Sequence, residues 1–253
     1  MTEFISQRKH GDAPETTIRL AVFGAAGCMG ARTCALARDD RRFQLIAEID
    51  RASGSDASGA GQEPIDVIID FSSDSGARAA AALGLSHGAA LVVGTTGLSR
   101  QTLSALDVAS RTVPVMVAAN TSVGAAVLRE LATRAALLLG EAYDANLIEV
   151  HHVRKRDKPS GTALSLAELL REKAGVKLPP DRIHAIRSGD VVGEHTVEFA
   201  AAGERIKISH IATSRDLFAR GALRAAAWLV GRSPGRYTVE QALGIAPTGA
   251  PRS

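Results

Sequence analysis

The stretch IRLAVFGAAGCMG, residues 18–30, decides how the first half of this chain folds. It begins with an apolar run suited to a strand buried on both faces, and it places glycines at Gly24, Gly27 and Gly30. Without a Cβ, glycine permits a tight strand-to-helix turn and lets a pyrophosphate approach the helix N-terminal amides. The spacing is GxxGxxG rather than GxGxxG, and a generic turn is the alternative. Because the motif follows a strand and opens a helix, it favours dinucleotide binding.

Apolar runs and alanine-rich helical stretches alternate through the rest of this half. The predicted strands begin at Ile18, Gln44, Asp66, Ala89 and Val113, and the predicted helices span residues 28–38, 75–86 and 99–110. Strands rich in Val, Ile and Leu that alternate with helices indicate a parallel sheet covered on both faces. The predicted fold class of this half is therefore α/β, a Rossmann-like doubly wound sheet.

The second half has a different pattern. A helix is predicted over 123–139, with Val123, Val127, Leu131 and Leu138 on one side. The stretches NLIEVHH, EHTVEFAAAG and ERIKISHIA are predicted strands, and the second alternates as in a sheet with one solvated side. A further helix is predicted from about 162 to 173.

The end of the chain is predicted to return to the first half. DLFARGALRAAAWLVG is a predicted helix, and TVEQAL carries a capping box from Thr238 to Gln241. We therefore expect a dinucleotide-binding domain of residues 1–121 plus 216–253, and a smaller α+β substrate-binding and oligomerisation domain of residues 122–215.

Bulk composition limits the classes of partner. The 253 residues carry a net charge of only +3 and 4% aromatic residues, too little to indicate a nucleic-acid partner. No apolar run is long enough to cross a membrane, and the polar start MTEFISQ is not a signal peptide. We expect the first residues to be a loose extension, and residues 52–64 to be a flexible linker by composition.

Cysteine and histidine spacing bears on compartment and metal content. Cys28 and Cys34 are the two cysteines, and on one helix they would lie about 9 Å apart along its axis, too far for a disulfide. That fits a reducing cytoplasm. Since no CxxC or HExxH spacing occurs, no metal is expected.

Residues at the ends of later strands are placed to contact a dinucleotide. Asp50 follows the last glycine of the turn by about 20 residues, where an acid binds the ribose hydroxyls of NADH. Arg51 beside it suits the 2′-phosphate of NADPH, although a solvated strand end is the alternative. Gly94, Thr96 and Asn120 follow later strands, and the ligand crevice of an open parallel sheet lies at those ends. Each could also be a simple turn.

The segment EVHHVRKRDKPSGTAL, residues 149–164, concentrates positive charge before a predicted helix. Ser160 is a plausible N-cap, which leaves the amides of Gly161 and Thr162 free to bind a carboxylate. His151 and His152 on a strand end should point to opposite sides and serve different roles. A solvated basic loop with one core histidine is the alternative, but the segment favours an anion-binding catalytic loop.

Taken together, these segments resemble the dihydrodipicolinate reductase family of lysine and diaminopimelate biosynthesis. The matching segments are GAAGCMG, IDFSS, VVGTTG, AANTSVG, EVHHVRKRDKPSGTAL, RSGDVVGEHTVEF and ISHIATSRDLFARGALRAAAWL. They occur in family order and cover most of residues 18–229. The ExHHxxKxDxPSGT pattern is highly specific.

The resemblance implies an NADPH- or NADH-dependent reductase that converts 4-hydroxy-tetrahydrodipicolinate, a cyclic dicarboxylate, to tetrahydrodipicolinate. By position, it implies that His151 is the general acid, that Lys155 is a proton donor, and that His152, Gly161 and Thr162 contact the substrate carboxylate, and we add Ser160 to that set. It implies cofactor contacts from Gly24, Gly27, Met29, Asp50, Arg51, Gly94, Thr96, Ala118, Ala119, Asn120 and Thr121, and Cys28, Gly30 and Phe71 lie in the same matching segments. A homotetramer joined through the sheets of the substrate domains is also implied.

The chain departs from the family pattern at three places. Thr121 stands where many members have an aromatic residue or Met, Lys158 stands where Ala is usual, and the stretch between Arg51 and Asp66 is short. Two alternative functions are another NAD(P)H-dependent imine or semialdehyde reductase and a non-catalytic dinucleotide sensor. The sensor predicts loss of the proton donor or the anion loop, yet both are present.

Overall fold

The computed structural model describes residues 17–50 and 63–245. Arg51, the predicted N-terminal extension and nearly all of the predicted 52–64 linker lie outside these ranges.

A six-stranded parallel sheet forms the larger layer of the fold. Its strands are β1 (Ile18–Phe23), β2 (Phe43–Ile49), β3 (Val67–Asp70), β4 (Ala90–Val93), β5 (Pro114–Val117) and β10 (Gly235–Tyr237). The order is β10-β5-β4-β3-β1-β2, and every pair is parallel. All residues of β3 and β4 are buried, as the apolar runs predict for strands covered on both faces.

Helices cover both faces of this parallel sheet. They are α1 (Cys28–Arg38), α2 (Asp74–His87), α3 (Arg100–Ala109) and α6 (Asp216–Leu229). α1 and α6 share one hydrophobic core with Val22 and Ile69, whereas α2 and α3 share another with Ile68 and Leu91. The sheet is therefore doubly wound, and the predicted Rossmann-like fold class is confirmed. Strand order reverses at β1, which sets a crevice at the carboxyl ends of β1 and β3.

A second, mixed sheet of four strands forms the smaller layer. Its strands are β6 (Asp144–His151), β7 (Ile183–Arg187), β8 (Gly193–Ala201) and β9 (Glu204–Ala212), in the order β7-β6-β8-β9. Only the β6–β7 pair is parallel. Helices α4 (Val123–Leu139) and α5 (Gly161–Ala174) share one core with this sheet, in which Leu147 and Phe199 lie with Leu128 and Leu170.

The chain then returns to the parallel sheet. After β9, α6 packs beside α1, and β10 adds a sixth strand next to β5. The short helix α7 (Val239–Ala242) follows, and the capping box predicted from Thr238 to Gln241 is confirmed.

The apolar side predicted for α4 is largely exposed in this structure. Val127, Leu131 and Leu138 do lie on one side of α4, but they are 40%, 48% and 87% exposed. The buried side of α4 instead presents small residues, among them Ala125 and Ala132. Small side chains let α4 pack closely against its neighbours on that side.

Both cysteines are free, as their spacing predicts: Cys28 is exposed at the start of α1 and Cys34 is buried within it. Burial raises the pKa of the Cys34 thiol to about 12, so that residue is a packing group rather than a nucleophile. Across the described ranges, no helix combines the length and the apolarity that a membrane span requires.

Candidate active site

The turn between β1 and α1 is shaped by glycine. Gly24 has a φ of +75°, and a Cβ there would lie 2.3 Å from the carbonyl oxygen of Phe71. A Cβ at Gly30 would lie 2.0 Å from the carbonyl oxygen of Gly24. Both positions therefore require glycine, and the turn lies tightly against the loop that follows β3.

The start of α1 fits a bound phosphate group. Its N-cap, Gly27, has no side-chain hydrogen bond, whereas serine hydroxyls cap α2, α3, α4 and α5. The amides of the first α1 turn thus lack a side-chain cap, as expected where a pyrophosphate binds. Nearby, the Asp50 carboxylate accepts a hydrogen bond from the Ala26 amide at 3.1 Å, which holds it beside the turn.

A cleft of about 530 Å³ opens at this crevice. The residues predicted to contact the cofactor that line it are Cys28, Met29, Phe71, Gly94, Thr96, Ala118, Ala119 and Thr121. Gly94 packs against the Phe71 ring. A Cβ at Gly94 would lie 2.2 Å from that ring, so a side chain does not fit there. Thr121, one of the departures from the family pattern, is buried and donates its hydroxyl hydrogen bond to the carbonyl of Phe218 at 2.7 Å.

A buried carboxylate links two loops that line this cleft. Asp70, at the end of β3, has no solvent exposure and accepts a hydrogen bond from the Thr95 hydroxyl at 2.7 Å. Thr95 in turn accepts from the Ser72 amide at 2.9 Å. Burial raises the pKa of Asp70, and hydrogen bonds from Ser72 and Thr95 oppose that rise. The network ties together the two loops that carry Phe71 and Gly94.

A second cleft, of about 640 Å³, continues from the first. The two clefts share Thr96, Ala118 and Ala119. The second is also lined by Asn120, Arg129, Lys155, Asp157, Gly161 and Thr162, and by residues of α7. Asn120 contacts the Thr162 hydroxyl through its side-chain amide at 3.4 Å, so the predicted cofactor loop meets the predicted substrate loop.

The start of α5 already holds a carboxylate in this structure. The ammonium of Lys155 lies 2.9 Å from one Asp157 oxygen, and the Gly161 amide donates to the other at 3.3 Å. The hydrogen bond from Lys155 is the main cause of the lowered pKa of Asp157. Lys155 and the start of α5 thus form a carboxylate-binding site. Asp157 was not among the predicted site residues.

Ser160 caps α5, as predicted. Its hydroxyl accepts a hydrogen bond from the Ala163 amide at 3.2 Å and lies 3.3 Å from Nε2 of His195. Ser160 is 1% exposed, and it is not a lining residue of either cleft. Its hydroxyl thus holds the helix start, and the predicted substrate contact of Ser160 stays a prediction.

His151 lies at the end of β6 among buried polar groups. Its Nδ1 contacts Glu149, and its ring lies edge-to-face with that of His195 at 5.1 Å between centroids. Glu149 is fully buried and accepts a hydrogen bond from Arg187 at 2.9 Å. Burial lowers the pKa of His151, and Glu149 opposes that shift. Glu149, Arg187 and His195 were not predicted as site residues.

His152 has different surroundings from its neighbour. It follows the last residue of β6 and is half-buried, and its Nδ1 is buried without a hydrogen-bond partner among the described residues. An unpaired buried nitrogen is costly, so this atom can accept or donate a hydrogen bond when a ligand or water is bound.

One group within the described ranges brings three potential metal ligands together. The ligand atoms of Glu149, His151 and His195 all lie within 4.8 Å of one another. However, the Arg187 guanidinium lies 2.9 Å from Glu149, and a cation there disfavours a second one. The expectation that the protein uses no metal stays a prediction.

The buried histidines make stability depend on pH. Burial lowers the pKa of His195 to about 4, below its ordinary value of 6.5, so the unfolded chain takes up the proton first as pH falls. We expect the contribution of His195 to be complete above about pH 6.5 and to decline by roughly 3 kcal/mol as pH falls to 4. Urea unfolding at pH 7 and pH 4.5 measures this effect.

The matched variants isolate His195 from the other histidines. His195→Gln should weaken the pH dependence of the free energy of unfolding, whereas His87→Gln in α2 should leave it as in the wild type. An unchanged pH dependence in His195→Gln would show that other groups dominate acid unfolding.

A doubly wound sheet with a glycine turn, joined to a carboxylate-holding cleft, defines a nicotinamide-dependent oxidoreductase of the Rossmann class. The protein-family model described as "Dihydrodipicolinate reductase, N-terminus" matches residues 18–121. The model described as "Dihydrodipicolinate reductase, C-terminus" matches residues 124–243. The chain belongs to the dihydrodipicolinate reductase family.

Named relatives agree with this assignment. The chain is 40% identical to a 4-hydroxy-tetrahydrodipicolinate reductase of Anaeromyxobacter dehalogenans (strain 2CP-C), over 90% of this chain and 98% of the relative. It is 35% identical to one of Syntrophotalea carbinolica, over 90% and 99%. In fold it is similar to a dipicolinate-bound dihydrodipicolinate reductase from Paenisporosarcina sp. TG-14, with a TM-score of 0.72 and 21% identity over 88% of this chain and 98% of the other.

Proposed function

We propose that this protein is a 4-hydroxy-tetrahydrodipicolinate reductase of lysine and diaminopimelate biosynthesis, using NADPH or NADH. The observation that carries the proposal is the continuity of two clefts at Thr96, Ala118 and Ala119. One cleft begins at the glycine turn, and in the other Lys155 and the Gly161 amide hold the carboxylate of Asp157. A dinucleotide and an acidic ring can therefore meet at the shared residues.

Within this proposal the chain holds the cofactor through backbone and small side chains. The open start of α1 binds the pyrophosphate, Asp50 binds ribose hydroxyls, and Arg51 suits a 2′-phosphate. The cofactor, when bound, supplies a hydride to the substrate. The remaining predicted contacts, from Cys28, Met29, Phe71, Gly94, Thr96, Ala118, Ala119, Asn120 and Thr121, line the two clefts.

The chain's own groups bind the carboxylates and move the proton. The Lys155 ammonium and the amides of Gly161 and Thr162 bind a substrate carboxylate, and His152 adds a ring nitrogen. His151 donates a proton to the ring system, which makes hydride acceptance easier. Lys155 can also donate a proton and stabilises negative charge as it develops.

We propose the domain division 1–121 plus 216–253 and 122–215. It is supported by the return of α6 and β10 to the parallel sheet, and by the separate core that α4 and α5 form on the mixed sheet. A cytoplasmic location is proposed on the two free cysteines, which suit a reducing compartment.

A homotetramer joined through the mixed sheets is proposed as the assembly. On the outer face of that sheet, Ile186 and Ile211 are 47% and 59% exposed, beside half-buried Ile148 and Val150. Ile211→Lys should lower the mass measured by light scattering below that of a tetramer. Val108→Lys should leave the mass unchanged, because Val108 lies on α3, which packs on the parallel sheet. A tetramer that survives Ile211→Lys, or a monomeric wild type, would contradict this assembly.

The reaction is tested by following NADPH and NADH oxidation optically with freshly generated substrate. We expect turnover that depends on both the cofactor and the dicarboxylate. A panel of imines that lack the second carboxylate serves as the comparison. Activity restricted to those compounds would identify a different imine reductase, and binding of the dinucleotide without any turnover would identify a sensor.

A further inference from the structure

Strand β6 carries a carboxylate that is closed off from water. Glu149 has no solvent exposure, and a buried ion is tolerated only when it is paired and hydrogen-bonded. One of its oxygens, Oε1, accepts from Arg187 Nη1 at 2.9 Å and from the Ser160 amide at 3.3 Å. The other, Oε2, contacts Nδ1 of His151. Each oxygen of the carboxylate therefore has a specific partner.

The sheet register explains why these groups meet. Glu149 and His151 are two residues apart on one strand, so they share a face. His151 is paired with Arg187 of β7, and Glu149 is paired with His195 of β8. Neighbouring residues in register also share a face, so four ionisable side chains converge on the inner side of the mixed sheet.

The contact with Glu149 determines which nitrogen of His151 carries the proton. A carboxylate oxygen can only accept, so Nδ1 must donate, and Nε2 is then left to exchange a proton with a ligand. A Cβ at Gly193 would lie 3.0 Å from Nε2, so glycine at this position keeps that edge of the ring free of a side chain.

We propose that Glu149, fixed by Arg187 and the Ser160 amide, is a positioning residue that holds His151 in its Nδ1–H tautomer with Nε2 directed to the reacting centre. This inference rests on the proposed role of His151 as the general acid. It adds a residue that acts through His151 and does not itself touch the substrate.

The electrostatics around His151 give the proposal a pH signature. The charged and titratable groups that face the ring are Glu149 on its own strand, Arg187 of β7, His195 of β8 and Lys155 of the basic loop. Burial, Lys155 and Arg187 lower the pKa of His151, and Glu149 raises it. Removing the negative charge of Glu149 should therefore lower the pKa of His151 further.

The tautomer can be measured without any turnover. In the full-length protein labelled with ¹⁵N-histidine, two-bond ¹H–¹⁵N spectra distinguish a protonated Nδ1 from a protonated Nε2, and the His151→Gln spectrum assigns the resonances. We expect a protonated Nδ1 for His151 in the neutral ring. A protonated Nε2 in the wild type would overturn the proposal, whether or not the enzyme is active.

Kinetics supply the second test. We expect Glu149→Gln to lower kcat by about 10–100-fold with little change in KM, and to move the loss of activity at high pH downward by about one pH unit. Glu149→Asp should recover part of kcat. Glu168→Gln, on an exposed acid that pairs with Arg171 on α5, should match the wild type.

The outcomes separate the two proposals. A wild type without turnover refutes the proposed function, while the tautomer measurement still decides the role of Glu149. A folded Glu149→Gln protein with wild-type kcat and pH profile overturns the positioning role. If Glu149→Gln does not fold, the tautomer of His151 in the wild type decides whether Glu149 positions the ring.

Discussion

Replacing His151 with Gln should lower kcat by about 10²–10⁴-fold, with only a modest change in KM. The imidazole is the group proposed to transfer a proton, and an amide cannot do so near neutral pH. Glu149 would still be paired with Arg187 and the Ser160 amide in the variant, so no buried charge is left without a partner. Steady-state kinetics with both cofactors measure the effect.

His87→Gln is the matched control for this variant. It makes the same change at the end of α2, outside both clefts, and should leave kcat and KM unchanged. Thermal unfolding should show that His151→Gln is folded. A folded variant with wild-type kcat/KM would mean that His151 is not the general acid.

The larger part of the fold was predictable because periodicity and caps act locally. Helix α1 spans the predicted residues 28–38, and α4 spans the predicted residues 123–139. Strands β7 and β10 were missed because their sequences, IHAIR and GRY, lack the continuous Val, Ile and Leu run of the predicted strands, and they depend on pairing with a neighbouring strand.

The candidate site was predictable where its residues are close in sequence, and not where they meet across the fold. Lys155, Gly161 and Thr162 line one cleft because they lie within eight residues of each other on one loop and helix start. Arg187 reaches Glu149 from a strand 38 residues away, and His195 reaches Ser160 across 35 residues. Sequence spacing carries no signal for such contacts, although an acid between apolar neighbours, as Glu149 is between Ile148 and Val150, indicates a buried partner.

Replacing Lys155 with Ala should damage both kinetic constants. We expect KM to rise by about 10–100-fold, because the proposed charge-assisted hydrogen bond to the substrate carboxylate is lost, and kcat to fall as well. The structure adds a second cause. Asp157, which Lys155 holds at 2.9 Å, would keep its charge beside the carboxylate site and repel the substrate.

Two further variants separate these causes. Lys155→Arg keeps the charge but not a dissociable proton, so it should recover more of KM than of kcat. Adding Asp157→Asn to Lys155→Ala removes the repelling carboxylate and should recover part of KM alone.

Lys158→Ala tests whether the position of Lys155 matters more for activity than the net charge of its loop. It removes one positive charge from the same loop, but Lys158 faces a different cavity, with Leu164 and Ile183, and its loss should be far less damaging. If Lys158→Ala changed kcat and KM as much as Lys155→Ala, the overall positive charge of the loop, and not the position of Lys155, would account for the effect. If Lys155→Ala kept wild-type kcat/KM, the carboxylate-binding site at the start of α5 would have no part in catalysis. The structure favours the position of Lys155 over the net charge of the loop as the cause. Lys155 and the Gly161 amide hold the Asp157 carboxylate at the place where the substrate carboxylate is proposed to bind.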